Sequence, residues 1–158
     1  MSSAAMTVRS GPWDPAEVAE YLDAAVIPIR LATQGDEYPI VQSLWYLRAD
    51  DVLWCCTQED SVLARRLGRE PRCGFEIAEE DPPYRGVRGT GHATLHREQA
   101  STVLDRLIDR YGQSDTALAR WLASRVATEV AVRIEPVALW CWDYSARMSA
   151  DPQRESGG

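Results

Sequence analysis

The sequence has no lysine, no asparagine, one phenylalanine and no long apolar run. All 17 basic residues are therefore arginines, and they face 24 acidic residues for a net charge of −7. A surface that binds nucleic acid is usually basic, so this balance argues against a nucleic-acid partner. No segment approaches the roughly 18 apolar residues of a membrane helix, and residues 1–11 lack the apolar centre of a secretory signal. We expect a cytoplasmic protein without a membrane partner.

The strong catalytic and metal-binding signatures are also missing. The chain contains no G-x-S-x-G, H-E-x-x-H, phosphate-loop or C-x-x-C pattern. His92 and His96 have no acidic or thiol partner at a ligating spacing, so we expect surface or barrel-wall histidines and no metal site. The four cysteines are expected to be buried, reduced thiols; they are Cys55, Cys56, Cys73 and Cys141.

Hydrophobic periodicity predicts a mainly β chain with helices at its periphery. Strand patterns occupy 27–33, 38–48, 52–57, 72–78, 84–96, 130–134 and 139–144. Helices are predicted after Asp14, from about Ser61 to Leu67 with Gly68 as the C-terminal cap, around 103–111, and after Ser114 or Asp115. Proline at position 136 is expected to separate the last two strands. These features predict an antiparallel barrel of six to seven strands in one domain, 13–148, between flexible segments 1–12 and 149–158.

The segment from Thr57 to Ser61 is a candidate anion site. It places two hydroxyl side chains four residues apart, where a strand ends and a helix begins. Backbone N–H groups at a helix start favour anions, and Arg65 and Arg66 follow on the same helix. An ordinary helix cap with solvated arginines explains the same residues.

Six stretches together resemble a known family. They are PIRLAT at 28–33, PIVQSLWY at 39–46, LWCCT at 53–57, Ser61 with RRL at 65–67 and EPR at 70–72, PYRGVRGTG at 83–91, and EVAVRIEP at 129–136 with WDYS at 142–145. Their order and spacing over 27–148 are similar to those of the pyridoxamine 5'-phosphate oxidase-like proteins, a family of FMN-binding split barrels.

The resemblance implies a split β-barrel homodimer with two FMN sites at the subunit interface. Gln42, Ser43, Leu44 and Trp45 would lie along the flavin ring, with the backbone of Ser43 and Leu44 near its reactive nitrogen. The segment with Thr57, Gln58, Ser61 and Val62 would hold the phosphate. Trp142 would approach from the other subunit. Simple burial of Trp45 and Trp142 in the core is the alternative.

Two departures from the family pattern limit what the resemblance implies. Val62 and Leu63 stand where family members often carry a basic pair, so phosphate binding would fall to Arg65, Arg66 or Arg30. The chain also lacks the substrate-binding C-terminal segment of the true oxidase, so we do not expect pyridoxamine phosphate oxidation. The predicted activity is hydride or electron transfer at a flavin, acting on a small molecule. The alternatives are a deazaflavin coenzyme, or binding of a flavin, deazaflavin or haem without turnover.

Overall fold

The computed structural model describes residues 6–149. The strands are β1 (Val8–Ser10), β2 (Ile29–Thr33), β3 (Ile40–Leu44), β4 (Leu47–Ala49), β5 (Val52–Gln58), β6 (Arg72–Ala78), β7 (Arg85–His96) and β8 (Glu129–Asp143). The helices are α1 (Pro15–Ala24), α2 (Val62–Arg69), α3 (Ala100–Arg110), α4 (Ala117–Ser124) and α5 (Ser145–Met148), with a 3₁₀ turn at Val126–Thr128. No helix in this range is long and apolar enough to cross a bilayer.

All strands belong to one curled sheet. Seven of them follow the order β3-β2-β6-β7-β8-β5-β4, with every pair along this path antiparallel, and β1 adds to β8 in parallel. The two edge strands, β3 and β4, are joined in the chain by Trp45 and Tyr46 alone. The sheet is therefore a half-barrel that is split beside β3. This confirms the predicted split-barrel fold of mainly β structure with peripheral helices.

The inner face of the sheet packs on α1. Ile29 and Leu31 of β2 are fully buried, as are Val18 and Leu22 of the helix. Asp14 begins α1 as predicted, with a complete capping box: its carboxylate accepts from the Glu17 N–H at 2.9 Å, and the Glu17 carboxylate accepts from the Asp14 N–H at 2.8 Å. This helix end is thus specified locally, and its apolar stripe fixes which side faces the sheet.

The predicted single strand over 38–48 is wrong, because the structure divides it into β3 and β4. The first pairs with β2 and the second with β5, so the chain changes partners between them. Tyr46 lies at the break and is fully buried, with its hydroxyl donating to Leu22 O at 2.7 Å and Ala25 O at 2.8 Å. Residues 44–47 are a continuous apolar run with no turn residue, so the sequence pattern alone does not reveal the break.

Pro136 does not end a strand, contrary to prediction, because β8 continues through it. The pairing passes from Thr90–Ala138 to Gly91–Pro136, which leaves Val137 as an extra residue on β8. A bulge of this kind tolerates proline within a sheet. Gly91 permits the close crossing, since a Cβ there would lie 2.7 Å from the carbonyl oxygen of Glu135.

Two predicted helix boundaries also differ. Helix α2 runs through Gly68 to Arg69, and its last N–H groups are bonded in the ordinary helical way. Helix α4 begins at Thr116, whose hydroxyl accepts from Ala119 N at 3.1 Å, rather than at Ser114 or Asp115. Asp115 adopts a left-handed conformation with φ of 62°, which places it in the turn before the helix.

Residues 8–10, within the segment 1–12 that we predict to be flexible, form strand β1. Strand β1 pairs with β8, and Leu139 N donates to Thr7 O at 2.9 Å. Residues 1–5 of the predicted flexible segment lie outside the described residues. The same is true of 150–158 in the predicted tail.

Candidate functional site

The start of α2 brings together the two hydroxyl residues singled out in the sequence. Thr57 donates from Oγ1 to Ser61 Oγ at 2.9 Å, and Ser61 Oγ accepts from Ala64 N at 3.0 Å as the helix cap. The cap geometry explains why Ser61 is needed here even without a ligand. The Ser61 hydroxyl proton and the first helix N–H groups remain the donors that an anion would meet.

The arginines that follow diverge from one another. Arg65 folds back along the first turn and donates to Asp60 O at 2.6 Å, so its charge stays beside the helix start. Arg66 instead lies against Gly35 and donates to Tyr38 O at 3.3 Å in the turn between β2 and β3. With Val62 exposed and uncharged, the start of α2 has one arginine of its own helix beside it.

The side-chain amide of Gln58 binds the buried carboxylate of Glu129. Its Nε2 donates to Glu129 Oε1 and, at 3.4 Å, to Arg125 O. Its Oε1 accepts from Thr128 Oγ1 at 2.6 Å. Glu129 is 5% exposed. The amide of Gln58 is thus fixed by three bonds and acts as a support for Glu129.

Strand β3, which we predict to lie along the flavin ring, borders a cleft beneath α4. Ser43, Leu44 and Trp45 line a cavity of about 290 Å³ together with Leu118 and Leu122 of the helix. Strand β3 pairs only with β2 in the described sheet, so the other backbone edge of β3 faces the split. The strand therefore offers backbone donors and acceptors next to an apolar wall.

A second cavity of about 140 Å³ continues from the first, and Leu44, Trp45 and Leu122 are walls of both. Cys56 and Glu129 lie at its inner end. Burial, with a smaller contribution from the charge of Glu129, raises the pKa of Cys56 to about 12. Its thiol is therefore protonated at neutral pH and is no candidate nucleophile. We call the two cavities together the α4 cleft.

Trp45 is held in one orientation. Its ring stacks on Tyr111 with centroids 4.9 Å apart and planes 11° apart. Tyr111 is fixed in turn, donating to Ile27 O at 2.8 Å and accepting from Tyr46 N at 3.1 Å. Trp45 is half-buried, so it is a rigid wall of the α4 cleft with one side in the core.

Gln42 carries a buried amide oxygen without a partner among the described residues. It lies two positions before Leu44 on β3, so the two side chains share one face of the strand, about 7 Å apart. Unpaired buried acceptors are rare and costly. A flat ring along β3 with an N–H at its edge would satisfy this oxygen, so the strand fits the ring of a flavin.

Arg30 and Trp142 lie away from the α4 cleft within one protomer. Arg30 forms an ion pair with Glu80 at 2.5 Å on the outer face of the sheet. Trp142 packs over Gly86 of β7, where a Cβ would come within 2.5 Å of its Cζ2 atom. The structure therefore does not bring these two predicted site residues to the others.

The histidines lie on β7 outside the cleft. His92 is exposed, and the His96 ring is within 2.8 Å of Thr94 Oγ1 and edge-on to Trp54. Over residues 6–149, no three His, Cys, Asp or Glu side chains are grouped as a metal site.

Sequence reasoning missed three residues of the cleft. Leu118 and Leu122 were visible as an apolar pair on a helix face, but their meeting with Trp45 depends on how α4 packs. Glu129 begins the last strand and resembles any exposed polar residue in the sequence. Its burial and its bond to Gln58 arise from the pairing of β5 with β8, for which the sequence gives no local signal.

A family model described as pyridoxamine 5'-phosphate oxidase matches residues 14–146. The chain belongs to this family. No curated protein sequence matches it. Among solved structures, a conserved hypothetical protein from Mycobacterium tuberculosis has 25% identity and a TM-score of 0.76, covering 93% of each chain.

Other structures are more distant and share the fold. One described as an F420 reductase has 22% identity and a TM-score of 0.64, covering 76% of this chain and 94% of its own. A FAD-binding protein from Mesorhizobium loti has 21% identity and a TM-score of 0.59, covering 80% and 92%. The haem storage protein of Vibrio cholerae has 16% identity and a TM-score of 0.62, covering 78% and 91%.

Proposed function

We propose that this family member binds a flavin-type cofactor along β3 and acts as an oxidoreductase on a small molecule. The observation that carries the proposal is the unpaired, buried Oε1 atom of Gln42 on that strand. The pyrimidine edge of a flavin carries an N–H donor, which is the group this oxygen lacks. Leu44 and Trp45 supply an apolar surface beside it.

FMN and a deazaflavin are the two candidate cofactors. The start of α2 supports FMN, because its hydroxyls, N–H groups and Arg65 suit a terminal phosphate. The departure of Arg66 to the β2–β3 turn and the uncharged Val62 support a deazaflavin, whose binding need not depend on a strong phosphate contact at this place. Solved relatives described as an F420 reductase and a FAD-binding protein accord with either ring.

Haem is the weaker candidate. A haem iron is commonly held by a histidine, and His92 and His96 lie on β7 rather than in the α4 cleft. Haem also lacks an amide-like N–H to meet Gln42 Oε1. The similarity to the haem storage protein is therefore a similarity of fold.

We further propose that the protein works as a homodimer through the outer face of its sheet. In one protomer this face leaves Val41 63% exposed beside a cavity of about 560 Å³ lined by Arg30, Arg88 and Trp140. A second copy would cover this surface and bring Arg30 and Trp142 to a shared site. Light scattering in low and high salt tests the dimer, and a monomer under both conditions contradicts it.

The redox chemistry would belong to the cofactor. The chain's own part is to orient the ring through Gln42 and the backbone of β3, and to exclude water with the side chains of α4. No acid or base lies on β3 itself.

The absorbance spectrum of the protein after incubation with cofactor and desalting tests the proposal. Retention of the two visible bands of FMN, or of the single visible band of a deazaflavin, is expected, with bleaching on reduction. The Gln42→Met variant should retain less cofactor than the wild type. Retention of neither cofactor by the dimeric protein contradicts the proposal, while retention without turnover of any reductant supports the non-catalytic alternative.

A further inference from the structure

Glu129 is a buried acidic group for which the proposed cofactor has no evident use. It is 5% exposed, yet it lines the inner end of the α4 cleft. Its Oε1 accepts from Gln58 Nε2. Within the described chain no cation pairs with it, and its second carboxylate oxygen has no bond.

The surroundings of Glu129 are otherwise apolar. Leu104 and Leu107 of α3, together with Leu122 of α4, close the cavity around it, and Trp45 forms one wall. A carboxylate removed from water without a cationic partner is destabilising. Gln58 donates to one oxygen only, and the other is not among the fully buried atoms without a partner, so it is open to a ligand in the cavity that Glu129 lines.

The geometry points to a ligand-binding site in which Glu129 receives the cationic or N–H donor group of a flat aromatic molecule. The aromatic part would lie between Trp45 and the leucines of α4, in the cavity of about 290 Å³ that borders β3. The donor group would reach into the cavity of about 140 Å³ beyond it. This inference rests on the proposed function, because it places the substrate beside the strand that holds the ring.

The lining also excludes one class of substrate. Among residues 6–149, no arginine lines either cavity of the cleft, and Glu129 is the single charged residue that does. A phosphorylated or carboxylated substrate would meet a carboxylate with no compensating cation. The site thus selects for a positively charged or neutral nitrogen-bearing aromatic molecule.

Three probes of nearly equal size test the charge selection: benzamidine, benzamide and benzoate. Titration calorimetry on the purified protein should give affinities in that order, with benzamidine at least about tenfold tighter than benzamide, as a charge-assisted hydrogen bond predicts. In the Glu129→Gln variant, which keeps the shape and the bond to Gln58, the ratio should fall close to one. Glu135→Gln on the same strand is the matched control, because Glu135 is 58% exposed and paired with Arg133.

A second variant keeps the test decisive if Glu129→Gln fails to fold. Leu118→Trp should narrow the mouth of the cleft from its partly exposed position and weaken benzamidine and benzamide equally. An unchanged benzamidine preference in Glu129→Gln, an equal loss in Glu135→Gln, or no binding of either probe by the wild type would overturn the inference.

Cofactor retention is measured on the same preparations by absorbance. If the protein retains neither cofactor but still prefers benzamidine in a way that depends on Glu129, the binding site proposed here is supported. The proposed function is then contradicted.

Discussion

The packed side of the half-barrel and its split edge treat buried polar groups differently. On the packed side, the hydroxyls of Tyr21 and Tyr46 donate to backbone carbonyls. On the side of β3 and the α4 cleft, Gln42 Oε1 has no partner among residues 6–149, and Glu129 accepts a bond from Gln58 at one oxygen. Folding normally satisfies buried polar atoms, so the unpaired oxygen of Gln42 is an exception that the proposed cofactor would satisfy.

Two other buried atoms refine this contrast. Thr33 Oγ1 also lacks a partner within residues 6–149, and it lies on the β2–β3 hairpin opposite Ile40, two positions along from the pair of Leu31 and Gln42. Arg110 Nε lacks one on the packed side, but the other nitrogens of Arg110 donate to Leu22 O, Asp23 O and Ala25 O. Unmet polar atoms are therefore concentrated on the hairpin that carries the ring strand.

The largest effect is expected on the packed side, at Tyr46. Tyr46→Ala removes a fully buried ring and should lower the free energy of unfolding by about 3–5 kcal/mol. Tyr46→Phe keeps the ring and removes the hydroxyl, while Leu22 O and Ala25 O still accept from Arg110, so the loss should be about 1 kcal/mol. Urea denaturation measures both, and equal losses in the two variants would contradict the role given to the hydroxyl.

Alkaline pH should also act on the packed side. Burial, followed by the charge of Glu79, raises the pKa of Tyr21 from 10.0 to about 12. The neutral phenol is favoured in the folded state, so its contribution to stability is complete below pH 10 and is lost as the pH rises toward 12. Melting temperatures measured across this window should fall less steeply in Tyr21→Phe, and a parallel decline in both proteins would refute this.

At Gln42 on strand β3, the expected change in the free energy of unfolding has the opposite sign. Gln42→Met replaces an unpaired amide by an apolar chain of similar length, so it should raise the free energy of unfolding by about 1 kcal/mol in the absence of cofactor. Gln113→Met, on a half-buried amide outside the cleft whose Nε2 donates to Tyr111 O, is the control and should not stabilise. A destabilised Gln42→Met variant would mean that the amide has a structural partner.

At the start of α2 we expect effects on both stability and binding, because Ser61 is both a helix cap and a candidate phosphate contact. Ser61→Ala should cost about 1 kcal/mol of stability through the lost cap and also weaken FMN. Thr116→Ala at the start of α4 is a matched cap variant that should cost a similar amount with no effect on FMN. Equal FMN affinities in the two variants would assign Ser61 to the cap alone.

The smallest effect is expected on FMN affinity at Arg65 and Arg66, and the two arginines should differ. Arg65→Ala should weaken FMN several-fold, since one exposed ion contact contributes up to about 1 kcal/mol. Arg66→Ala should leave FMN affinity unchanged, because Arg66 is bound at the β2–β3 turn. Fluorescence titration of FMN distinguishes them, and the opposite order would place the phosphate near that turn.

Features encoded by neighbouring residues were predictable from the sequence. The capping box of Asp14 and the run of β6 follow from local spacing, as does the Ser61 cap. Strand periodicity predicted an antiparallel barrel, and the resemblance of six stretches to a known family implied its split form. For the two caps, the determining contacts lie within a few residues along the chain.

What the sequence could not predict depends on long-range packing. The break at Trp45 and Tyr46 exists because α1 supplies acceptors for the Tyr46 hydroxyl. The passage of β8 through Pro136 requires Gly91 on the opposing strand. The burial of Glu129 requires α3 and α4 to close over it. The candidate cleft is made of such contacts, and it was therefore only partly visible in the sequence.

The melting temperature with and without saturating cofactor, in the wild type and in Gln42→Met, tests the central claim most directly. A ligand that binds only the folded state raises the melting temperature, and the increase grows with the logarithm of the ratio of ligand concentration to Kd. The account predicts a clear increase for the wild type on adding FMN or a deazaflavin, and a higher starting value with a smaller increase for Gln42→Met. Equal increases in the two proteins, or no increase in the wild type with either cofactor, would contradict it.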